Sequence, residues 1–145
     1  MTTTHDTHGT TTDPTTKAVR AASITVPVAG TFLLLDAAMT GANGLAYAVA
    51  GGWLADWFGA PEALVRSLGV FLLVVAAAVA ALATRTTISR RGVAALAALN
   101  VVWVLASLDY ALPGGLTTLG VAWTVVQAVV VGAFAVGQVW LARRG

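Results

Sequence analysis

The chain has 145 residues, of which 58% are hydrophobic and only 10% charged, with a mean hydropathy of +0.84. A soluble domain carries about 25% charged residues, so this chain has too little charge to coat a globule of its size, and its single domain is expected to lie in lipid. A net charge of +2 gives no nucleic-acid-binding surface despite a pI near 9.7, and the absence of cysteine excludes disulfides, thiolate metal sites and thiol redox chemistry.

Residues 1–20 stand apart. Thr2 to Thr16 is threonine-rich with almost no apolar side chain, which predicts a disordered tail, because too little surface can be buried to offset ordering. It lacks the early apolar run of a signal peptide. The tail holds both histidines, His5 and His8, with Asp6 between them. Imidazole and carboxylate can ligate metals, but this composition reads as a solvated arm, and no metal or cofactor is expected.

Residues 21–145 form the predicted transmembrane domain. Four apolar runs, at about 23–49, 64–83, 92–112 and 116–141, each reach the roughly 20 residues that a hydrocarbon core requires. Backbone groups in lipid must be paired within helices or closed barrels, and the length and lack of alternation select helices. Pro27 falls in the first turn of the first span, where its missing N–H does little harm. Pro61 and Pro113 mark turns. The expected fold is an all-α, four-helix transmembrane bundle with short loops.

Charge sets the expected orientation. Lys17, Arg20, Arg85, Arg90, Arg91, Arg143 and Arg144 fall on one side of four spans. Arg66, Asp56, Glu62 and Asp109 fall near the other. The positive-inside rule then places both termini in the cytoplasm of a multi-pass protein of the bacterial plasma membrane. Trp53, Trp57 and Tyr110 at the outer boundary and Trp140 at the inner one are the expected interface anchors.

Polar residues inside the spans are the candidate site. Asp36, Thr40, Asn43 and Tyr47 are spaced by four, three and four, which puts them on one helix face. Asn100, Trp103, Ser107 and Tyr110 make a stripe on the third span, and Thr124, Gln127 and Gln138 share a face on the fourth. At about 1.5 Å per residue, Asp36 lies roughly 19 Å from the inner end and Gln127 about 16 Å from the outer end. Asp36 is therefore expected to face the bundle interior and to hydrogen-bond Gln127, Asn100 or Thr40. A charged side chain at mid-bilayer costs about 2.5–3.5 kcal/mol on insertion scales, and no basic residue lies at its depth to pair with it. Such a carboxyl either ties helices together or responds to protons or cations. Asn100, Ser107, Thr124 and Gln127 fit interhelical glue.

Gly41, Gly44, Gly51 and Gly52, with Ala42 and Ala46, and Gly132 and Gly137 on the fourth span, offer small surfaces for close helix approach. A faint repeat relates Ser67-Leu68-Gly69-Val70 to Thr118-Leu119-Gly120-Val121, and Asn43 with Tyr47 to Asn100 with Trp103. A duplication would give parallel repeats about an axis along the membrane normal.

The segments from Thr40 to Tyr47 and from Ala98 to Trp103, then Leu119-Gly120 with Gln127, resemble an uncharacterised group of small bacterial four-helix membrane proteins of actinobacterial type. That resemblance covers about residues 23–142 and implies a fold and a location but no mechanism. Asp36 with the tryptophans is also similar to small multidrug-resistance transporters, although that family uses glutamate and its other helix signatures are missing. Four-helix quinone-reducing thiol oxidoreductases require the cysteine this chain lacks. With no metal-ligand set, phosphate-binding glycine loop or nucleophile–base pair, an enzyme is not expected. The leading expectation is a structural, interaction or lipid-binding membrane subunit, partnered by the bilayer and by a second copy or another membrane protein. The alternative is an oligomeric proton-coupled transporter built on Asp36.

Overall fold

A computed structural model describes the backbone of residues 23–24 and 26–144 and the side chains of residues 28–143. The threonine-rich tail with His5, Asp6 and His8 lies outside the described residues. The described residues form five helices: α1 (Val26–Val49), α2 (Gly51–Phe58), α3 (Glu62–Ala83), α4 (Arg90–Ala111) and α5 (Thr118–Arg144). All but α2 are long and apolar enough to cross a membrane, since 22 residues rise about 33 Å. Two two-residue strands, β1 (Ser23–Ile24) and β2 (Ile88–Ser89), pair antiparallel at one end.

The helix boundaries follow local chemistry. Helix α1 begins three residues later than the apolar run, because Ser23 and Ile24 pair with Ser89 and Ile88 instead. Its far end breaks at Ala50 and the chain restarts as α2 (φ −98°, ψ 19° at Ala50). This short helix replaces the plain connection expected there. The Arg66 side chain holds the break: Nη1 donates to the Ala48 carbonyl at 2.7 Å and Nε to Glu62 at 2.7 Å. A guanidinium on the last carbonyls of a helix offsets its dipole. Gly51 leaves room for the Arg66 stem, since a Cβ there would lie 2.5 Å from Arg66 Cγ.

Helix α2 ends on Gly59 in the left-handed region (φ 72°), a conformation that favours glycine. Its last carbonyls are taken over by Thr117, whose N–H donates to Phe58 O at 2.9 Å and whose hydroxyl donates to Trp57 O at 2.5 Å. The same hydroxyl accepts from Gly120 N–H at 3.1 Å, the N-cap bond of α5. The end of α2 is thereby docked on the start of α5, where Gly120 lies directly beneath the Phe58 carbonyl. At the opposite end Ser89 caps α4 by accepting from Gly92 N–H.

Helix α1 packs along α3, and α4 along α5. Glycine sets the first contact: a Cβ on Gly69 would meet Ala48 N at 2.5 Å, and one on Gly44 would meet Leu73 N at 2.9 Å. Gly41 faces Ala76, and Gly137 on α5 receives the Phe32 ring, whereas Gly132 faces nothing within 4 Å. The two hairpins then meet across side chains, leaving a seam. At the arginine end the seam is filled by Ala29, Leu33, Val79, Ile88, Val93 and Leu141. Toward α2 a second apolar cluster holds Tyr47, Ala55, Val65 and Leu72.

The two hairpins do not use their matching motifs alike. Gly69 seats against α1 within its own hairpin, while Gly120 seats against the end of α2. Asn43 and Asn100 both reach glutamines of α5.

The bundle is apolar outside and polar inside. Val49, Val74, Val102, Leu105, Val129 and Val136 are each more than 60% exposed, whereas Asp36 (4%), Asn100 (8%) and Gln138 (0%) are buried. A water-soluble bundle has the opposite polarity.

Candidate functional site: the polar seam between the hairpins

Asp36 lies about 15 Å along α1 from Val26, turned into the seam. Its Oδ2 accepts from Gln138 Nε2 at 2.6 Å, and its Oδ1 accepts from the Thr40 hydroxyl at 3.3 Å, one turn along the same helix. Gln138 Oε1 in turn accepts from Asn100 Nδ2 at 3.0 Å. Carboxyl, amide and amide thus join α1, α5 and α4 in one chain. Helix α3 contributes only apolar walls. Among the described residues no ion pair reaches Asp36, and the one salt bridge is the exposed Arg66–Glu62 pair.

A second network lies nearer α2. Trp123 Nε1 donates to the Tyr47 hydroxyl at 2.6 Å, Gln127 Nε2 donates to the same oxygen at 3.1 Å, and Asn43 Nδ2 donates to Gln127 Oε1 at 3.3 Å. Thr124 instead turns its hydroxyl back onto the Gly120 carbonyl at 2.8 Å, a bond within its own helix.

Two spaces separate and flank these networks. A void of about 40 Å³ is bordered by Asp36, Thr40, Asn43, Asn100, Trp103 and Gln127. The rest of its lining is apolar, including Phe71, Val75, Leu99 and Phe134, and its volume suits a water molecule held by the polar groups on one side. A larger cavity of about 250 Å³ lies toward α2, with Tyr47, Phe58, Trp103, Ser107, Trp123 and Gln127 in its lining. Trp103 and Gln127 border both. The aromatic rings are ordered against one another: Phe58 and Trp123 stack at 6.1 Å with 12° between planes, and Trp103 stacks on Phe71 at 5.8 Å and 10°.

Of the residues expected in the site, Asp36, Thr40, Asn43, Asn100 and Gln127 border one void. Ser107 is half-buried in the larger cavity. Gln127 does not reach Asp36; its amide partners are Asn43 and Tyr47. Asn100 reaches the carboxyl through Gln138. The level estimate fails because α1 begins at Val26 and α5 begins at Thr118 and continues to Arg144. Asp36 is thus closer to the arginine end than counted, and Gln127 stands level with Asn43. Gln138 carries the bond assigned to Gln127. Its position on the Thr124–Gln127 face was the sequence signal for it.

Trp53 and Trp57 are exposed at the α2 end with ring centroids 4.0 Å apart, and Tyr110 is exposed near the same end while also bordering the cavity. Trp140 is half exposed near the arginine end of α5. Among the described residues no group of three His, Cys, Asp or Glu side chains could hold a metal ion. Comparison of the chain with family models, with curated proteins and with solved structures finds no match in any of the three.

Proposed function

We propose that this chain is a multi-pass integral protein of the bacterial cell membrane, with four spans and both termini in the cytoplasm. In this reading it serves as a non-catalytic structural, interaction or lipid-binding subunit. The observation that carries the reading is the inverted polarity: large aliphatic side chains cover the outside of four long helices while Asp36, Asn100 and Gln138 are inside. In water such a surface would associate; in lipid it is the solvated face. Arg85, Arg90, Arg91 and Arg143 lie at one end and Asp56, Glu62 and Asp109 at the other, which supports the cytoplasmic assignment of the arginine end. The Asp36–Gln138–Asn100 chain acts as a clasp between the hairpins. The partners are the bilayer and, through the exposed helix faces, a second copy or another membrane protein; nucleic acid is not among them.

Because the chain has no native cysteine, single-cysteine variants test the topology directly. In intact cells a membrane-impermeant maleimide should label Gly115→Cys between α4 and α5, and should label Thr86→Cys between α3 and α4 only after lysis. Labelling of both in intact cells, or release of the protein from membranes by alkaline carbonate, would overturn the reading.

One observation favours a second reading, the water-sized pocket beside the Asp36 carboxyl. Water there would give Asp36 a proton donor and acceptor, as in a proton-coupled transporter. Proteoliposomes with a pH dye inside and an imposed potassium potential separate the two. The transport reading requires proton flux that Asp36→Asn abolishes; the clasp reading requires none in either protein.

A further inference from the structure

We infer that the 250 Å³ cavity is a binding site for a neutral, flat, ring-sized molecule that presents a carbonyl oxygen to Tyr47 and Gln127. Three observations carry it.

The first is hydrogen-bond bookkeeping. Trp123, Tyr47, Gln127 and Asn43 together bring six N–H and O–H hydrogens, of which three are used among themselves. Donors without acceptors are costly where water is scarce, and Tyr47 and Gln127 border the cavity. At the cavity itself Tyr47 and Gln127 keep two hydrogens against one free lone pair on Gln127 Oε1, so the complementary group is one that accepts, such as a carbonyl oxygen.

The second is charge. The described residues that line the cavity include no ionic side chain, so a carboxylate, phosphate or ammonium would enter unpaired.

The third is shape. An apolar cavity of about 150 Å³ admits a benzene ring, so one of about 250 Å³ takes a substituted or fused ring. The parallel Phe58 and Trp123 rings, with Trp103 reaching in from α4, give flat walls. These suit an aromatic plane better than a flexible acyl chain.

The inference rests on the membrane reading, since bulk water would satisfy the surplus donors. The test uses the full chain in lipid nanodiscs, with binding isotherms corrected by empty nanodiscs of the same lipid. Three probes are compared: menadione, 2-methylnaphthalene and methyl decanoate. Menadione and 2-methylnaphthalene share a shape and differ in the carbonyls. Menadione should bind about tenfold more tightly, the ratio expected of a hydrogen bond that answers an unpaired donor. In Tyr47→Phe/Trp123→Phe/Gln127→Met the polar groups of the network that border the cavity are replaced by apolar ones. There the ratio should fall to about one, with 2-methylnaphthalene affinity retained.

Equal binding of the two ring compounds to the wild-type chain would overturn the acceptor assignment. Equal or tighter binding of methyl decanoate would overturn the ring assignment, and no binding by any probe would overturn the site. The wild-type comparison decides these points even if the triple variant fails to fold. Failure of the chain to enter nanodiscs would count against the membrane reading itself.

Discussion

Replacing Gln138 with leucine removes the centre of the clasp. Gln138 is fully buried, donates to Asp36 at 2.6 Å and accepts from Asn100 at 3.0 Å. Leucine nearly matches glutamine in volume, so little of the effect comes from a cavity. What is lost is two interhelical hydrogen bonds, and the buried Asp36 carboxyl and Asn100 amide are each left short of a partner. In membrane proteins such bonds average about 0.6 kcal/mol and reach about 1.7, because unfolded helices in lipid also find partners. Two of them give an expected loss of about 1–3 kcal/mol. Equilibrium unfolding in mixed detergent micelles measures it, with Val136→Ala as the control, since Val136 faces outward at 71% exposure. Asn100→Leu alone should lose less, and the double variant should lose less than the sum, because both remove the same amide–amide bond. If Gln138→Leu were no more destabilising than Val136→Ala, the clasp would not hold the hairpins together.

Asp36→Asn should stay within about 0.5 kcal/mol of wild type, since asparagine can accept from Gln138 and donate to Thr40. Asp36→Leu should lose about 1–2 kcal/mol in the same assay by stranding the Gln138 amide. Gly69→Val drives side-chain atoms into the backbone of α1 at Tyr47 and Ala48. The helices must then separate, at about 1–3 kcal/mol, with a matching fall in thermal stability in nanodiscs. Gly120→Ala pushes against the Phe58 carbonyl and should undock α2. Amide hydrogen exchange at residues 51–58 should then accelerate about tenfold or more while the middle of α3 is unchanged. Arg66→Met should cost less than about 1 kcal/mol, because the guanidinium is half exposed, and the loss should shrink at high salt. A loss above about 2 kcal/mol would show that Arg66 does more than close the end of α1.

The four long helices were legible because each apolar run reaches the roughly 20 residues needed to cross a hydrocarbon core, and because Pro61 and Pro113 fall between runs. The face carrying Asp36, Thr40, Asn43 and Tyr47 was legible for the same reason: a helix fixes which residues point together. What a helix does not fix is the height of its neighbour. Gln127 and Gln138 share a face, so periodicity cannot choose between them. The choice depends on where α5 starts and stops, and α5 outruns its apolar segment as far as Arg144. Helix α2 was hidden for a different reason. Gly51 and Gly52 read as extra small surface of the first span, whereas the chain breaks at Ala50 and Arg66 crosses Gly51. That contact lies fifteen residues away in sequence. The pairing of α1 with α3 rests on Gly44 and Gly69 meeting backbone to backbone. Neither glycine alone announces its partner.

The inverted polarity is tested most directly by a nitroxide scan of α4, one spin label at a time from Val93 to Leu108 in nanodiscs, with collision rates for oxygen and for a water-soluble nickel chelate. Oxygen, which partitions into lipid, should collide most at Val101, Val102 and Leu105 and least at Val93, Leu96, Ala97 and Asn100. The nickel chelate should be low throughout. Frequent nickel collisions at Val102 and Leu105, or an oxygen maximum on the Asn100 face, would contradict a bundle that turns its aliphatic side chains to lipid and its polar ones inward.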